Sequence, residues 1–397
     1  MPGPLHGLRI LDITSGVLGP YATMTLGDLG ADIIKVEAPE GDMLRGIGPG
    51  RHPGMGPMHL AYNRNKRSVV LDLKQPEGRA AFLKLAETAD AVVHNMRPQA
   101  VAALRLTYDD VRAVKPDIVY CGAYGYSVKG PYAARPAFDD VIQSVSGLAH
   151  LMGLTGDAPR YAPTIMADKT TGLTLVYALL AGLIHKLRSG EGQFIEIPMF
   201  ETMVSFTMGE HLWGHSFVPP NAGTGYDRVL APERIPNRTK DGWVALMPYS
   251  TENWNDFFRF VGRPELVGDP RFVDLGSRTV HIRTLYAIKA EVSQLHTTQE
   301  WLDYCEAHSI PAGKVNSLDD LFTDPHLQAV DFFREVEHPT EGRVVNLGIP
   351  VRFEGTPGSV RRQAPRLGEH SLSLLREAGL TEAEIEALLT KRASIQA

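Results

Sequence analysis

The chain has 397 residues, 43% of them hydrophobic and 22% charged, with a formal net charge of −6. That length supports two domains or one elaborated domain with a sizeable core, and an acidic balance gives no reason to expect nucleic acid or an anionic membrane as partner. Only two cysteines occur, Cys121 and Cys305, which excludes a disulfide framework and fits a reducing, cytoplasmic setting.

The N-terminus lacks the basic and then apolar run of a signal peptide. From there, short apolar, β-branched runs alternate with helical patterns. Leu8 to Ile13 reads as a strand, Pro20 to Leu29 as a helix opening on proline, and Ala31 to Val36 as a second strand. Ser68 to Leu73 is a third strand and Pro76 to Ala89 the helix after it. Asp90 to His94 and Asp117 to Cys121 add two more strands. This alternation predicts an α/β fold with a doubly wound parallel sheet, which binds ligands at the carboxyl ends of its strands. Thr170 to Leu187 reads as a long apolar helix. Its most apolar part, Leu173 to Ile184, is too short to span a bilayer and reads as a buried segment.

The pattern changes after the strand Gln193 to Ile197 and the helix that follows. From Gly214 to Thr239 the chain is rich in Pro, Gly and Asn, as a crossing segment or linker would be. Gly242 to Pro248 then reads as a strand, with helical stretches to Ala329. Asp331 to Phe353 returns to strand-like chain, and Ser371 to Leu389 reads as one amphipathic helix. These changes predict a large domain over 1–225 and 330–397 with a small domain at 226–329.

Several motifs are weighed by what their chemistry requires. Gly16 and Gly19 follow the first strand and Glu37 ends the second, as in a dinucleotide site, but Pro20 follows Gly19 and no third glycine is in register. No nucleophile elbow or P-loop lysine occurs, and His94, His211 and His215 lack the close pairing of metal ligands. The basic segment Asn63-Arg-Asn-Lys-Arg-Ser68 has two readings: a phosphate-binding element with Lys74 at the far end of the strand, or a solvated loop, which composition favours. Asn95-Met-Arg-Pro98 follows a strand, where open α/β sheets bind ligands. Asp168, in Met166-Ala-Asp-Lys-Thr-Thr-Gly172, stands at the head of the long apolar helix. An N-cap carboxylate accepts hydrogen bonds from the first turn, and the same surroundings would hold a carboxylate nucleophile ionised and aimed.

Taken in order, these blocks resemble the class III coenzyme A transferases of the CaiB/BaiF type, a family that includes formyl-CoA transferase and carnitine CoA-transferase. The resemblance spans essentially the whole chain. It rests on Leu5-His-Gly-Leu-Arg-Ile-Leu-Asp-Ile13, Leu29-Gly-Ala-Asp-Ile-Ile-Lys-Val-Glu37, Asn63 to Ser68 with Leu71-Asp-Leu-Lys74, Arg135-Pro-Ala-Phe-Asp139, Asp168-Lys-Thr-Thr-Gly172, Gly190-Glu-Gly-Gln193 and Ala364-Pro-Arg-Leu-Gly-Glu-His370. It implies a Rossmann-like large domain formed by both chain ends, a small inserted α+β domain, and a homodimer of interlocked rings. It also implies an enzyme that moves coenzyme A from an acyl-CoA donor to a carboxylic acid, with no metal and no permanently bound cofactor.

The resemblance implies Asp168 as the catalytic carboxylate. Leu71 and Lys74 would sit beside the adenine and phosphates with Asn95, Met96 and Arg97, while Val17 and Leu18 line the pantetheine path. Phe138 and Asp139 fall near the reacting centre. The departures from formyl-CoA transferase are Ser15 and Val17 in place of a histidine and a glutamine, Ala38 and Ala103 in place of two arginines with Arg105 two residues on, and only Gly223 and Gly225 near the position of a four-glycine loop. These argue against oxalate and formyl-CoA as the pair; Arg135 and Arg228 are the arginines that a dicarboxylate's second carboxylate would use. The alternatives are an acyl-CoA racemase of the same superfamily, which needs two opposed bases where Arg135 to Asp139 carries no histidine, and a non-catalytic CoA-binding protein.

Overall fold

The computed structural model describes residues 2–396 except 155 and 157. The chain divides into two compact units: unit 1 holds 1–149, 161–206 and 330–397, and unit 2 holds 150–160 and 207–329. The small domain expected over 226–329 and unit 2 end at the same residue, Ala329, and begin at different ones.

Unit 1 is built on six parallel strands: β1 (Arg9–Ile13), β2 (Asp32–Glu37), β3 (Lys66–Val70), β4 (Ala91–His94), β5 (Val119–Tyr124) and β6 (Gln193–Pro198), in the order β3-β2-β1-β4-β5-β6. All six were legible as apolar runs, because strands covered on both faces by helices need apolar side chains on both. One face is covered by Pro76–Glu87 and by Ser371–Glu377 and Glu382–Thr390 near the C-terminus, around Phe82, Leu85 and Leu374. The other face carries Leu18–Asp28 and Met166–Ser189, around Leu26, Leu175 and Leu179. The strand order reverses between β1 and β4, which opens a crevice at their carboxyl ends.

Three expectations are corrected here. The expected helix Ser371 to Leu389 is two, because Gly379 has a left-handed φ of 83° and Thr381 starts the second with a capping box to Glu384. The long helix runs 24 residues from Met166 to Ser189 and ends on left-handed Gly190. By length and composition it is apolar enough to cross a membrane, and only 33% of its most apolar stretch is buried in this chain. One side seats Leu175, Leu179 and Leu183 in the core, and Lys186 reaches Asp90 at 3.1 Å and Asp117 at 3.0 Å, which is the anchoring of a core helix. The opposite side leaves Leu173, Tyr177, Ile184 and Leu187 exposed.

The third correction concerns the basic segment, which is neither a phosphate site nor a solvated loop. Asn63 to Ser68 is buried throughout. Arg64 pairs with Asp28 at 2.6 Å, Arg67 with Asp32 at 2.6 Å and with Glu377 at 2.7 Å, and Lys66 with Asp12 at 3.0 Å. Lys66 and Arg67 belong to β3, which begins two residues earlier than expected. Their partners come from distant strands and helices, so local composition carried no sign of the pairing.

Unit 2 has a three-stranded antiparallel sheet, β7 (Asn237–Arg238), β8 (Trp243–Leu246) and β9 (Ala312–Lys314), in that order. An aromatic core of Trp254, Phe257, Phe258 and Trp301 fills it, from the helices Thr251–Phe260 and Thr298–Ala307. Each of these two helices opens with a capping box. In unit 1, β10 (Phe333–His338) and β11 (Gly342–Leu347) form a separate hairpin.

Asp12 lies wholly buried beneath the crevice, and accepts from Thr14, Thr23 and Lys66. Burial pushes its carboxyl up, but the charges of Lys66 and Lys35 with the two hydroxyls outweigh burial and hold it well below the usual range. Asp12→Ala would strand those cations away from water. It is expected to lower unfolding free energy by about 3–5 kcal/mol in urea denaturation, and a loss under about 1 kcal/mol would show that the lysines find other partners.

Candidate active site

The loop after β1 is tied down by three side chains from three different elements. Lys35 on β2 donates from Nζ to the Thr14 carbonyl at 3.0 Å and to Asp42 at 2.8 Å. The other Asp42 oxygen accepts the Gly16 N–H at 3.1 Å and the Leu44 N–H at 3.0 Å. Asn95, just past β4, accepts the Ser15 N–H at 3.0 Å and donates to the Ser15 carbonyl at 2.7 Å. Gly16 has a φ of 76°, a conformation that β-carbon-bearing residues seldom adopt. Glu37, the would-be ribose acid, is instead held by Arg45 at 2.8 and 2.7 Å and by Ser68 at 2.7 Å.

This loop leads into the helix Leu18–Asp28, which packs on Met166–Ser189. Gly172 lets the two helices approach closely, since an added Cβ there would lie 2.8 Å from the Leu18 carbonyl. Asp168 faces the start of the first helix one turn earlier, where the backbone amide of Leu18 favours its charged form. Asp168 is therefore the third residue of its helix, not the N-cap expected from sequence: the cap position is Ile165, which makes no side-chain cap. Its own N–H donates to Asp139 Oδ1 at 3.0 Å, so a carboxylate from another helix satisfies a free donor of the first turn.

Asp168 is also less firmly ionised than a cap would make it. Burial raises its pKa, the nearby charge of Asp139 raises it further, and the Leu18 N–H pulls it back only in part, leaving it at about 6. A carboxylate with such a pKa is ionised at neutral pH yet more basic, and hence more nucleophilic, than an ordinary one.

Around Asp168 opens a cavity of about 890 Å³. Ser15 to Leu18 after β1, Asn95 and Arg97 after β4, Tyr124 at the end of β5, and Arg135, Phe138 and Asp139 line it. Of the residues expected at the site, Val17, Leu18, Asn95, Arg97, Phe138, Asp139 and Asp168 thus come together, and Arg135 joins them. Arg135 stacks over Tyr132, 3.8 Å from the ring centroid. Phe138 is 69% exposed.

Five expected residues lie outside the lining. Leu71 is wholly buried in the core, its side chain offering no surface to a ligand, and Met96 packs against the same cluster. Lys74 and Arg105 are exposed, Lys74 with its backbone N–H on Asp72 and Arg105 with its carbonyl held by Arg79. Arg228 belongs to unit 2 and donates to the Tyr286 hydroxyl at 3.3 Å. His94, at the end of β4, is buried against Tyr120 and Tyr124, and burial lowers its pKa to about 4. Sequence reasoning missed an apolar wall of Met43, Ile47, Met58 and Met199. Scattered apolar residues carry no signal of their own, although Met43 and Ile47 follow a strand's carboxyl end, where the fold places ligands.

The raised Asp168 pKa makes its ionised form a burden on folding. That burden is absent below the ordinary value of 3.8, where the carboxyl is protonated folded or unfolded, and is complete above about 6. Asp168→Asn is accordingly expected to unfold at equal or higher denaturant concentration than the wild type at pH 7, by up to about 2 kcal/mol. The difference should vanish near pH 3.5; a variant destabilised at pH 7 would mean that the carboxylate is chiefly structural.

Comparison with known proteins gives the family and the fold. The family model described as CoA-transferase family III matches residues 5–371. The chain is similar to human succinyl-CoA:glutarate CoA-transferase, 32% identical with 94% of this chain and 86% of the relative covered. It is also similar to succinyl-CoA:mesaconate CoA-transferase of Haloarcula marismortui, 31% identical with 95% and 97% covered. Among solved structures, Rv3272 from M. tuberculosis superposes with a TM-score of 0.80 at 30% identity, covering 94% of this chain and 99% of that one. A CaiB/BaiF family protein from Brucella suis gives 0.78 at 28% identity, covering 95% and 100%.

Proposed function

The chain belongs to CoA-transferase family III, and from that premise we propose that it moves coenzyme A from an acyl-CoA donor to a free carboxylic acid with Asp168 as the covalent relay. The observation that carries this reading is the Asp168 carboxylate, opening on the cavity between the Leu18 N–H and Asp139 with a pKa of about 6. In the first step an Asp168 oxygen attacks the thioester carbonyl and the carbon–sulfur bond breaks. CoA thiolate leaves and a mixed anhydride remains on Asp168. The thiolate then attacks the Asp168 carbonyl, expelling the donor acid and forming an aspartyl-CoA thioester. The acceptor carboxylate attacks that thioester to give a second anhydride. The thiolate returns to the acceptor's acyl carbon, and Asp168 is regenerated. Every step exchanges one activated acyl bond for another, so no external energy source enters. The Leu18 N–H, beside Asp168 at the start of its helix, is the proposed donor to an oxyanion that develops there.

Coenzyme A is a substrate, held along Val17, Leu18, Asn95 and Arg97 with Phe138 over the reacting end. Arg97 and Arg135 supply positive charge in the cavity, and relatives named for succinyl-CoA, glutarate and mesaconate act on dicarboxylates. A dicarboxylic acid is therefore the proposed acceptor class. The racemase reading finds no support in the lining, which among the described residues includes no histidine to oppose Asp168.

We further propose an interlocked homodimer, supported by the exposed side of Met166–Ser189. Leu173, Tyr177, Ile184 and Leu187 recur there at helical spacing and are 49–75% exposed. Such a stripe marks a protein–protein contact. Tyr177→Glu with Leu187→Glu is expected to shift the sedimentation coefficient from dimer to monomer or to aggregate; an unchanged dimer would place the interface elsewhere.

Asp168→Asn should lower kcat of transfer by at least roughly 1,000-fold, as loss of a covalent nucleophile does. Incubation with acyl-CoA and then hydroxylamine should tag Asp168 in the wild type, and an untagged peptide from active enzyme would sink the relay. The acid limb of kcat/KM should fall below a pKa of about 6, because the nucleophile is lost as pH drops through its folded value. A panel of mono- and dicarboxylate acceptors tests the substrate class.

A further inference from the structure

Unit 2 contains a second group of cations, Arg278 and Lys289 buried and Arg228 half-buried, whose arrangement differs from those of unit 1. Arg228, Arg278 and Lys289 line one small cavity together with Tyr249 and Tyr286. Arg278 and Lys289 are 5% and 7% exposed. Among the described residues none of the three pairs with a carboxylate. Arg278 donates to the Phe272 carbonyl at 2.9 Å, the Thr251 hydroxyl at 3.1 Å and the Tyr249 carbonyl at 3.3 Å. Lys289 donates to the Leu246 carbonyl at 2.9 Å and lies 4.9 Å from the Tyr286 ring centroid. Arg228 bonds the Tyr286 hydroxyl, contacts the Met247 sulfur at 3.9 Å and lies 5.4 Å from the Tyr249 ring centroid.

The charges feel one another: Arg228 acts on both Arg278 and Lys289, and Arg234 adds to the field at Lys289. Asp274 is the nearest counter-charge to Arg278 and acts on it more than Arg228 does, but its carboxylate accepts the Ser277 N–H at 2.7 Å and makes no ion pair with the guanidinium. Burial, then Arg228 and Arg234, pull Lys289 down to about 8. Removing cations from water without counter-charge is costly, and carbonyls and ring faces offset only part of that cost.

We propose that the Arg228–Arg278–Lys289 cavity of unit 2 binds a compact monovalent anion, a halide or the end group of a carboxylic acid. Its volume of about 20 Å³ exceeds the minimum for one water and is too small for a phosphate. Tyr249 and Leu275 at its rim are 53% and 48% exposed, which gives a small solute access. Guanidinium groups suit a planar carboxylate, which they bind through paired N–H donors. The site lies wholly within unit 2 and is tested by binding.

Thermal unfolding of the full-length protein is followed in gluconate salts, an anion too bulky for the cavity, and at equal ionic strength in formate, acetate, chloride or phosphate. A saturable rise of roughly 3 °C at ten times Kd is expected for at least one of formate, acetate and chloride. A rise with the carboxylates identifies an acid end group, a rise with chloride alone a halide. Arg228→Gln and Lys289→Met should each abolish the rise, and Lys289→Met should melt higher than wild type in gluconate because it removes an uncompensated cation. Equal melting in all salts, a rise with phosphate alone, or a rise undiminished in both variants would overturn the site. Bromide-soaked wild-type crystals give a reading free of mutation: an anomalous peak between Arg228 and Lys289 supports the site, and an empty cavity overturns it.

Discussion

The Lys35–Asp42 ion pair is the constraint on which the site depends, and it works together with Asp12 and Lys66 beneath the crevice. Both members of the 2.8 Å pair are almost completely buried. Burial would lower the Lys35 pKa, but Asp12, Asp42 and Glu37 around it raise it. An apolar cluster of similar volume would be as stable or more so. It would also leave the Thr14 carbonyl and the Gly16 N–H without partners, and those two groups set the path of the chain from β1 into the Leu18–Asp28 helix. The charges thus place backbone as well as joining strands.

What they place is the amide of Leu18, which meets Asp168 from a neighbouring helix. Three influences of opposite sign act on that carboxylate. Burial and Asp139 resist its charge, while the Leu18 N–H favours it. Their balance leaves a group that ionises just below neutrality. Asp139 has a second part, since its Oδ1 satisfies the Asp168 N–H and so fixes the first turn of the helix. A single side chain therefore couples the orientation of the Asp168 backbone to the electrostatics of its carboxylate.

The two units treat their clustered cations in opposite ways. In unit 1, Lys35, Arg45, Arg64 and Lys66 each sit on a carboxylate within 3.0 Å, and the result is rigid scaffolding. In unit 2, Arg228, Arg278 and Lys289 surround a space with oxygens that carry no formal charge. The same residue types serve structure where the counter-charge is built in, and point to a ligand where it is not.

The amino-acid sequence by itself determined the alternation of strands and helices, because β-branched runs and helical periodicity are local properties that need no partner to be seen. It also marked the Asp168 block and the segments after β1 and β4, whose distinctive residues stand at strand ends or at a helix start. It misread Asn63 to Ser68, because charges look solvated until their partners are found, and Asp12, Asp28 and Asp32 lie 35 to 54 residues away in the chain. It misplaced Asp168 as a cap, since helix starts are set by neighbours as much as by the first residues: here Asp139 takes up the free N–H. The methionine wall and the separation of Leu71, Met96, Lys74 and Arg105 from the cavity were decided by tertiary structure alone. Burial, like-charge proximity and the closing of a cavity are sums over residues distant in sequence, and they take values only once the chain has brought those residues together.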